Sequence, residues 1–328
     1  MTEYLEPILA PLNLLDDPVQ FQGGSLGFDY MWSHERGRDP IKVHALDYDE
    51  DVLAPFMKEA ELAANGTQIM GIVNVTPDSF SDGGQYNGED AVRHARTLVE
   101  AGAHILDFGA ESTRPGAETV PIHEEMQRLE AVFDALDSFG VPTSIDTRKA
   151  QIADEAIGMG ATMINDVSAL SFDPEMAEVV AQAGVHLCMM HAQGDPKTMQ
   201  DKPTYDNVLL DVYDYLEARI TFAEDAGIDR SNIIVDPGIG FGKTLAHNIS
   251  ILKHVAIFHG LGCPLLVGAS RKRMIGDIGG GEADSRLGGS LAIALDLARK
   301  GVQIIRVHDV YESVQAIKLQ NAILRDTE

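Results

Sequence analysis

The stretch Ile69-Met70-Gly71-Ile72-Val73-Asn74-Val75 has the composition of a buried strand and leads directly into Thr76-Pro77-Asp78-Ser79-Phe80-Ser81-Asp82-Gly83-Gly84. Further apolar runs, each ending in a polar or glycine-rich cluster, cover residues 105–108, 141–145, 163–164, 185–190, 233–235, 265–267 and 304–305. Continuous rather than alternating apolar runs are typical of parallel strands that are covered on both faces. Eight such strands with polar clusters at their carboxyl ends predict an α/β protein of the (β/α)8, or TIM, barrel class.

The segments between these runs carry the spacing of amphipathic helices. Examples are the sets Ala91, Ala95, Leu98 and Val99, and Val208, Val212, Tyr215, Leu216 and Ile220. Parallel strands need crossover connections, and helices of this kind supply them. We therefore expect a helix after most strands.

The chain has 328 residues, more than a barrel of about 250 residues requires. The surplus lies in residues 1–65, which are too aromatic for a disordered tail and are predicted to form an extension packed on the barrel of residues 66–328. Within it, Gln22-Gly23-Gly24-Ser25 predicts a turn, and residues 41–46 predict a short strand. A structural or dimer-contact role is favoured over a separate active domain.

The net charge of −26 argues against nucleic acid as a partner, because phosphate backbones bind basic surfaces. No apolar run approaches the roughly 20 residues of a membrane helix, so no membrane partner is expected. With only Cys188 and Cys263 and no signal-like amino terminus, the chain is expected in the cytoplasm.

Basic residues concentrate at the predicted strand ends, against this acidic background. They are Arg114, Lys243, Arg271, Lys272, Arg273, Arg306 and His308. If they lie around one barrel mouth, they form a local anion site. The alternative, expected for about half of them by the general behaviour of surface charges, is a role in ion pairs.

Four polar residues from four strand ends, Asp146, Asn165, Asp236 and Lys272, are predicted to share a buried pocket. Two carboxylates, an amide and an ammonium suit a flat heterocycle with N–H donors and ring nitrogens. A structural role for each residue is the competing interpretation. The run Gly238-Ile239-Gly240-Phe241-Gly242-Lys243-Thr244 is not a nucleotide loop, because Pro237 stands where a Walker A motif requires glycine.

Several long motifs resemble those of the dihydropteroate synthase family. They are residues 70–84 and 111–116, Asp236-Pro237-Gly238-Ile239-Gly240-Phe241-Gly242-Lys243, Ser270-Arg271-Lys272 and Arg306-Val307-His308-Asp309-Val310. The resemblance runs from about Gln68 to the carboxyl terminus. It implies a transferase of folate biosynthesis that joins 6-hydroxymethyl-7,8-dihydropterin diphosphate to 4-aminobenzoate by a dissociative substitution, releases diphosphate and is a sulfonamide target.

The resemblance also implies roles for individual residues. The pterin would be bound by Asp146, Asn165, Met190, Asp236, Phe241 and Lys272. The diphosphate would be bound by Asn74, Thr113, Arg306 and His308, with Asn74 also a ligand of Mg²⁺. The aminobenzoate would be bound by Phe80, Arg114 and Ser270. Asp82, Arg114 and Lys272 would be catalytic, and a homodimer is expected.

Two other functions stay open at this stage. A pterin-dependent methyltransferase barrel shares the Asp, Asn and Asp pocket, but does not need the residue 112–116 loop or the Arg306 and His308 pair. A catalytically silent paralogue would bind pterin without turnover. Cys188 is expected to be a buried structural thiol. Glu111, Asp107 and Asp166 are expected to hold or cap neighbouring loops.

Overall fold

A computed structural model describes residues 2–59, 66–76, 88–112, 119–194 and 202–324. Its amino-terminal part, up to residue 59, contains short strands and one helix. These elements are β1 (Tyr4–Pro7), β2 (Ala10–Pro11), β3 (Val19–Gln20), β4 (Leu26–Phe28), β5 (Tyr30–His34), β6 (Ile41–His44) and α1 (Glu50–Met57). β5 pairs with β1 and β6 in one antiparallel sheet, and β4 pairs with β2 and β3 in a second.

This extension has a small apolar core of its own. Phe28 and Phe56 are buried and meet edge to face, with ring centroids 5.9 Å apart. The predicted turn at residues 22–25 is present. The predicted strand at residues 41–46 is confirmed as β6 but ends at His44, because residues 45–47 form a 3-10 helix whose first turn His44 caps. The predicted boundary near residue 65 lies outside the described residues and stays a prediction.

Eight parallel strands follow the extension. They are β7 (Gln68–Asn74), β8 (Ile105–Gly109), β9 (Thr143–Asp146), β10 (Met163–Asp166), β11 (His186–Met190), β12 (Ile233–Asp236), β13 (Leu266–Val267) and β14 (Ile304–Val307). Their order in the sheet is β12-β11-β10-β9-β8-β7-β14-β13, and a parallel bridge from Val235 to Leu265 joins the two ends. The sheet is therefore a closed barrel, and the predicted (β/α)8 fold is confirmed, with strand bounds that differ from the expected ones by one or two residues.

Helices of the described segments surround the barrel. They are α2 (Gly88–Glu100), α3 (Ile122–Phe133), α4 (Ala150–Gly158), α5 (Met176–Ala183), α6 (Val208–Asp225), α7 (Leu245–Lys253), α8 (Arg273–Gly279), α9 (Leu287–Arg299) and α10 (Val310–Leu324). Local sequence sets their starts: the Asn207 side chain accepts from the first amides of α6, and Thr244 forms a capping box with His247 at α7. The predicted apolar face of α2 is confirmed by the burial of Ala91, Ala95 and Leu98. None of the helices in these segments combines the length and hydropathy that crossing a bilayer requires.

Inside the barrel, side chains of alternate strand residues form a closed apolar layer. Its members are Met70, Ile105, Met163, Cys188, Ile234, Leu266 and Ile304, all buried. Side chains at the alternate strand positions, which face outward, belong to the larger core that includes residues of the surrounding helices; examples are Leu106, Ile145 and Ile164. Along several strands the inward positions change from apolar to polar, and Asp107, two residues after Ile105 on β8, departs from the expected apolar run.

The extension packs on the side and the amino-terminal end of the barrel. The Tyr4 hydroxyl donates to Asp214 Oδ1 of α6 at 2.8 Å, and the Phe21 and His259 rings meet with centroids 4.8 Å apart. Gln303, directly before β14, donates from Nε2 to Gln22 Oε1 at 2.6 Å. The carboxyl ends of the strands lie at the opposite end, where the site of such barrels is built.

Candidate active site

A polar layer lies directly above the apolar layer, two residues further along several strands. It comprises Asp107, Asp146, Asn165, Asp236 and Arg306. The pleat of a strand sends alternate side chains to the same face, so these residues share the interior with Ile105, Met163, Ile234 and Ile304. The predicted convergence of Asp146, Asn165 and Asp236 is thus met by the strand geometry.

Arg306 connects the members of this layer. It donates from Nε to Asp107 Oδ2 at 2.6 Å and from Nη2 to Asp146 Oδ2 at 3.0 Å. Asn165 Nδ2 donates to the same Asp107 oxygen at 3.3 Å. One guanidinium therefore orients two buried carboxylates, and its planar fork suits this task better than an ammonium would.

The prediction that Asp107 caps a neighbouring loop is wrong. Asp107 is the third residue of β8 and is fully buried, and its hydrogen bonds run to Arg306 and Asn165 inside the barrel. Because Asp107 stands within an apolar run, it was not predicted to be a residue of the barrel interior. Its position two residues after Ile105, which faces inward, is the signal that could have identified it. Asp166, by contrast, accepts from the Ser168 and Leu170 amides, as expected for a loop cap.

Two carboxylate oxygens in this layer have no partner among the described residues: Asp107 Oδ1 and Asp146 Oδ1. Burial raises the pKa of Asp146, and the charge of Arg306 opposes that rise. A buried acceptor without a hydrogen bond is costly, so an N–H donor supplied by a ligand would be favoured at both atoms.

The opposite side of the layer combines Asp236 with Lys272. Burial raises the pKa of Asp236, and the Lys272 ammonium opposes that rise. Asp236 Oδ1 accepts from the Gly238 amide at 2.7 Å, and Lys272 Nζ donates to the Ile239 carbonyl. Burial also lowers the pKa of Lys272 to about 8. The ammonium lies 4.6 Å from the centre of the Phe241 ring, which brings three predicted pterin residues, Asp236, Phe241 and Lys272, together.

The glycines after β12 are required by close backbone approach. Gly238 has φ +68°, and a Cβ there would lie 1.9 Å from the His191 carbonyl oxygen. Gly242 has φ +60°, and its Cβ would lie 2.6 Å from the Gln193 carbonyl oxygen. The Gly-x-Gly-x-Gly run thus packs against the segment after β11, which agrees with its rejection as a nucleotide loop.

Three of the basic residues predicted to surround the barrel mouth have protein partners that account for their charge. Lys243 is buried and donates to the Gly238 carbonyl at 2.9 Å, with its Nζ 2.8 Å from His191 Nδ1, so it holds the loop rather than facing the mouth. Arg271 pairs with Asp309 at 2.5 Å, and Arg273 is exposed beside Asp277. For these three cations the ion-pair or structural interpretation is the one that the structure favours.

Profile and structure comparisons place the chain in a family. The profile described as pterin binding enzyme matches residues 70–308. The dihydropteroate synthase of Escherichia coli K12 is 47% identical over 275 residues, spanning 83% of this chain and 97% of that protein. The dihydropteroate synthase of Bacillus subtilis is 44% identical over 260 residues, spanning 79% of this chain and 89% of that protein.

The chain belongs to the dihydropteroate synthase family. Among solved structures, the dihydropteroate synthase of Xanthomonas albilineans with 4-aminobenzoic acid is 44% identical, with a TM-score of 0.76 over 80% of this chain and 95% of that one. The Yersinia pestis dihydropteroate synthase in a sulfonamide drug complex is also 44% identical, with a TM-score of 0.75 over 79% of this chain and 94% of that one.

The remaining residues predicted from the synthase family lie at the same end of the barrel, where they are described. Asn74 is the last residue of β7, and Met190 ends β11 in register with Asp236. Ser270 Oγ lies 3.2 Å from the His308 amide and 3.1 Å from His308 Nδ1, so the loops after β13 and β14 are joined. Phe80, Asp82, Thr113 and Arg114 lie outside the described residues.

Glu111 connects the two ends of the segment that contains Thr113 and Arg114. Its Oε2 accepts from the Val120 amide at 3.0 Å and from Lys149 Nζ at 2.5 Å, and its Oε1 accepts from Arg148 Nη2 at 2.6 Å. Lys149 also donates to the Val120 carbonyl and to Glu125. The prediction that Glu111 holds its loop is confirmed. The buried partners Lys149 and Glu125 were missed because nothing in the local sequence marks them.

The thiol and imidazole near the end of β11 have structural environments. Cys188 is fully buried in the apolar layer, and burial raises the pKa of its thiol well above the usual value, so it is a poor nucleophile. Burial, together with the nearby Lys243, lowers the pKa of His191 to about 2. The expectation of a buried structural thiol is confirmed.

Proposed function

We propose that the chain is a dihydropteroate synthase that condenses 6-hydroxymethyl-7,8-dihydropterin diphosphate with 4-aminobenzoate. The products are 7,8-dihydropteroate and diphosphate. The observation that carries the proposal is the pair of buried acceptor oxygens, Asp107 Oδ1 and Asp146 Oδ1, beside Arg306 at the carboxyl end of the barrel. A structure of the Xanthomonas albilineans synthase with 7,8-dihydropteroate, 41% identical to this chain, supports the same reaction class.

The polar layer suits the pterin ring for a chemical reason. The ring offers N–H and amino donors along one edge, and the carboxylates of this layer are acceptors when ionised. We assign ring recognition to Asp146, Asn165 and Asp236, with Asp107 as a further residue of the same layer. Met190 and Phe241 would contact the faces of the ring, and Lys272 would donate to a ring acceptor. Because the carboxylates and the amide of this layer are buried, a ring bound among them would be shielded from water.

The reaction needs no nucleophile from the protein. The bond between the pterin methylene carbon and the diphosphate oxygen breaks, and its electron pair leaves with diphosphate. The electron-rich ring then carries the positive charge, which buried carboxylates stabilise. The aminobenzoate nitrogen forms the new carbon–nitrogen bond and loses one proton to solvent. This dissociative order assigns the chain the tasks of binding, orientation and electrostatic stabilisation.

Diphosphate binding is assigned to Asn74, Thr113, Arg306 and His308. Arg306 already donates from Nε and Nη2 to carboxylates, so its contribution to diphosphate is chiefly its charge at the pocket. The His308 amide and ring are held beside Ser270. Ser270 would in turn lie on the aminobenzoate side, with Phe80 and Arg114.

A Mg²⁺ ion fits this end of the site. Asn74 offers an amide oxygen at the carboxyl end of β7, and Mg²⁺ commonly takes one or two protein oxygens and completes its shell with water and substrate phosphate. When bound with the diphosphate, the ion would supply neutralisation of the leaving charge. Asp82 and Arg114 are proposed to stabilise the reacting centre, and Glu111 holds the flanks of the Arg114 segment.

The test is a product assay on the purified chain. The chain is incubated with the pterin diphosphate and Mg²⁺, with and without 4-aminobenzoate, and with EDTA. We expect diphosphate release matched by dihydropteroate formation and lost with EDTA. Pterin binding without product would favour the silent paralogue. Methyl transfer from methyl-tetrahydrofolate to a corrinoid would favour the methyltransferase.

A homodimer and a cytoplasmic location complete the proposal. Helix α10 exposes Tyr311, Leu319 and Ile323, each at least 60% accessible, and a second copy of the chain could cover this surface. Light scattering at enzyme concentrations used for kinetics should give twice the mass of one chain. A monomer mass would contradict the dimer without affecting the assignment of the reaction.

A further inference from the structure

Three side chains of metal-binding types meet where the extension contacts the barrel. Glu6 lies on β1 and His34 is the last residue of β5, whereas His254 follows α7 directly. Glu6 Oε2 lies 2.7 Å from His34 Nε2 and 2.9 Å from His254 Nδ1. Two histidines, one from the extension and one from the barrel, thus share one oxygen of Glu6, which lies 248 positions before His254 in the sequence.

We propose that Glu6, His34 and His254 form a structural Zn²⁺ site that fastens the extension to the barrel. Two imidazoles and one carboxylate are a donor set that zinc uses in proteins, with water as a fourth ligand. The Glu6 and His34 side chains are less than one-tenth exposed, and that of His254 is 20% exposed. A fourth, water ligand would therefore enter from the His254 side.

The geometry requires only a small adjustment for the ion. The three donor atoms lie within 4.8 Å of one another, and the two imidazole rings are nearly perpendicular at 82°, with centroids 5.3 Å apart. Donors at usual zinc distances in a tetrahedral site are about 3.4 Å apart, so the present contacts would open by roughly half an ångström.

The arrangement without metal is a hydrogen-bonded contact in which both imidazoles donate N–H to Glu6. In this contact burial would raise the pKa of Glu6, but the hydrogen bonds from His254 and His34 outweigh burial and lower the pKa. This contact is the alternative that a metal titration must exclude.

The position of the cluster assigns it to structure rather than catalysis. His254 leads into a 3-10 helix (Val255–Leu261) that precedes β13, so the cluster lies toward the amino-terminal end of the barrel, away from the polar layer. The family profile begins at residue 70, and Glu6 and His34 lie outside it. The proposed ion thus belongs to the extension of this chain and not to the family's reaction.

Metal binding is measured first on the unmodified full chain. The chain is stripped with a chelator, dialysed, and titrated with Zn²⁺ by calorimetry and with Co²⁺ by visible absorption. We expect one tightly bound equivalent of Zn²⁺, a Co²⁺ spectrum of a four-coordinate centre, and a melting temperature that rises by several degrees with Zn²⁺. Less than one equivalent, or a spectrum of a hydrated ion, would overturn the proposal and leave the hydrogen-bonded contact.

Substitutions then locate the ion. His254→Gln is the least disruptive variant because His254 is the most exposed of the three ligands, and Glu6→Gln removes the charge at constant shape. Each should weaken Zn²⁺ binding at least a hundredfold and abolish the thermal shift. His123→Gln on the exposed face of α3 is the matched control and should bind Zn²⁺ as the unmodified chain does. Unchanged affinity in His254→Gln, or equal loss in His123→Gln, would show adventitious surface binding and refute the site.

Discussion

Arg306 Nε lies 2.6 Å from Asp107 Oδ2, and this contact joins β14 to β8 across the intervening strand β7. The same guanidinium reaches Asp146 Oδ2 at 3.0 Å. Each carboxylate retains one buried oxygen without a partner among the described residues. The interior of the barrel is therefore oriented for a donor-rich ligand before any ligand arrives, which is the arrangement that preorganised binding requires.

Asp107→Ala should destabilise the fold and weaken pterin binding together. Removing one partner from a buried ion pair costs about 3–5 kcal/mol, because the remaining charge stays desolvated. Urea unfolding should show this loss, and calorimetry should show weaker pterin binding. Asp154→Ala on the exposed face of α4 is the control. A stability equal to that of the control would mean that the Asp107 and Arg306 contact contributes little.

Gly238→Ala should impair both folding and turnover. The added Cβ would lie 1.9 Å from the His191 carbonyl oxygen, and φ is +68°, so backbone of two loops must move. Asp236 accepts from the Gly238 amide, so its carboxylate would move as well. Gly279→Ala, which meets nothing within 4 Å, is the matched control. Equal melting temperatures and equal kcat/KM in the two variants would contradict this interpretation of the loop.

Lys149→Met should act on the aminobenzoate step rather than on pterin binding. Lys149 connects Glu111, Glu125 and the Val120 carbonyl, and so holds the flanks of the segment that contains Arg114. We expect the KM for 4-aminobenzoate to rise about tenfold, equivalent to about 1.4 kcal/mol. Pterin affinity, measured by calorimetry, should be unchanged. Lys253→Met on exposed α7 is the control, and a loss confined to pterin affinity would refute the assignment.

His259 should make the fold sensitive to acid. Its Nε2 donates to the Lys300 carbonyl at 2.9 Å, and its buried Nδ1 has no partner among the described residues. Burial lowers its pKa from 6.5 to about 4. Between these values the unfolded chain binds the proton more tightly, so stability falls with acid, by about 3 kcal/mol in full.

The variant His259→Gln isolates this contribution, since it can keep the donor and does not titrate. As the pH falls from 6.5 to 4, we expect the free energy of unfolding of the unmodified chain to decrease more than that of His259→Gln. Urea midpoints measured at several pH values give the difference. A difference independent of pH would mean that His259 is not held neutral by its site.

The sequence was sufficient for the barrel because eight apolar runs recur along the chain with helix-length segments between them, and each run is followed by polar or glycine-rich residues. The interior was harder to predict: Asp107 is concealed in such a run, and only the strand parity set by the pleat separates it from Leu106 and Phe108. The extension was predicted only in outline, since strands such as β2 and β3 have two residues and little periodicity. Contacts such as that between Glu6 and His254 leave no local signal, because the fold alone brings them together.

The most direct measurement for the central claim is calorimetric titration of the pterin diphosphate into the unmodified chain and into Asp146→Asn. The substitution keeps the shape of the side chain but removes the charge that accepts ligand N–H groups and pairs with Arg306. The account predicts at least a tenfold loss of affinity, about 1.4 kcal/mol or more, with the fold intact by circular dichroism. Equal affinity in both proteins would contradict it, because the ring would then be bound elsewhere than in the polar layer of the barrel.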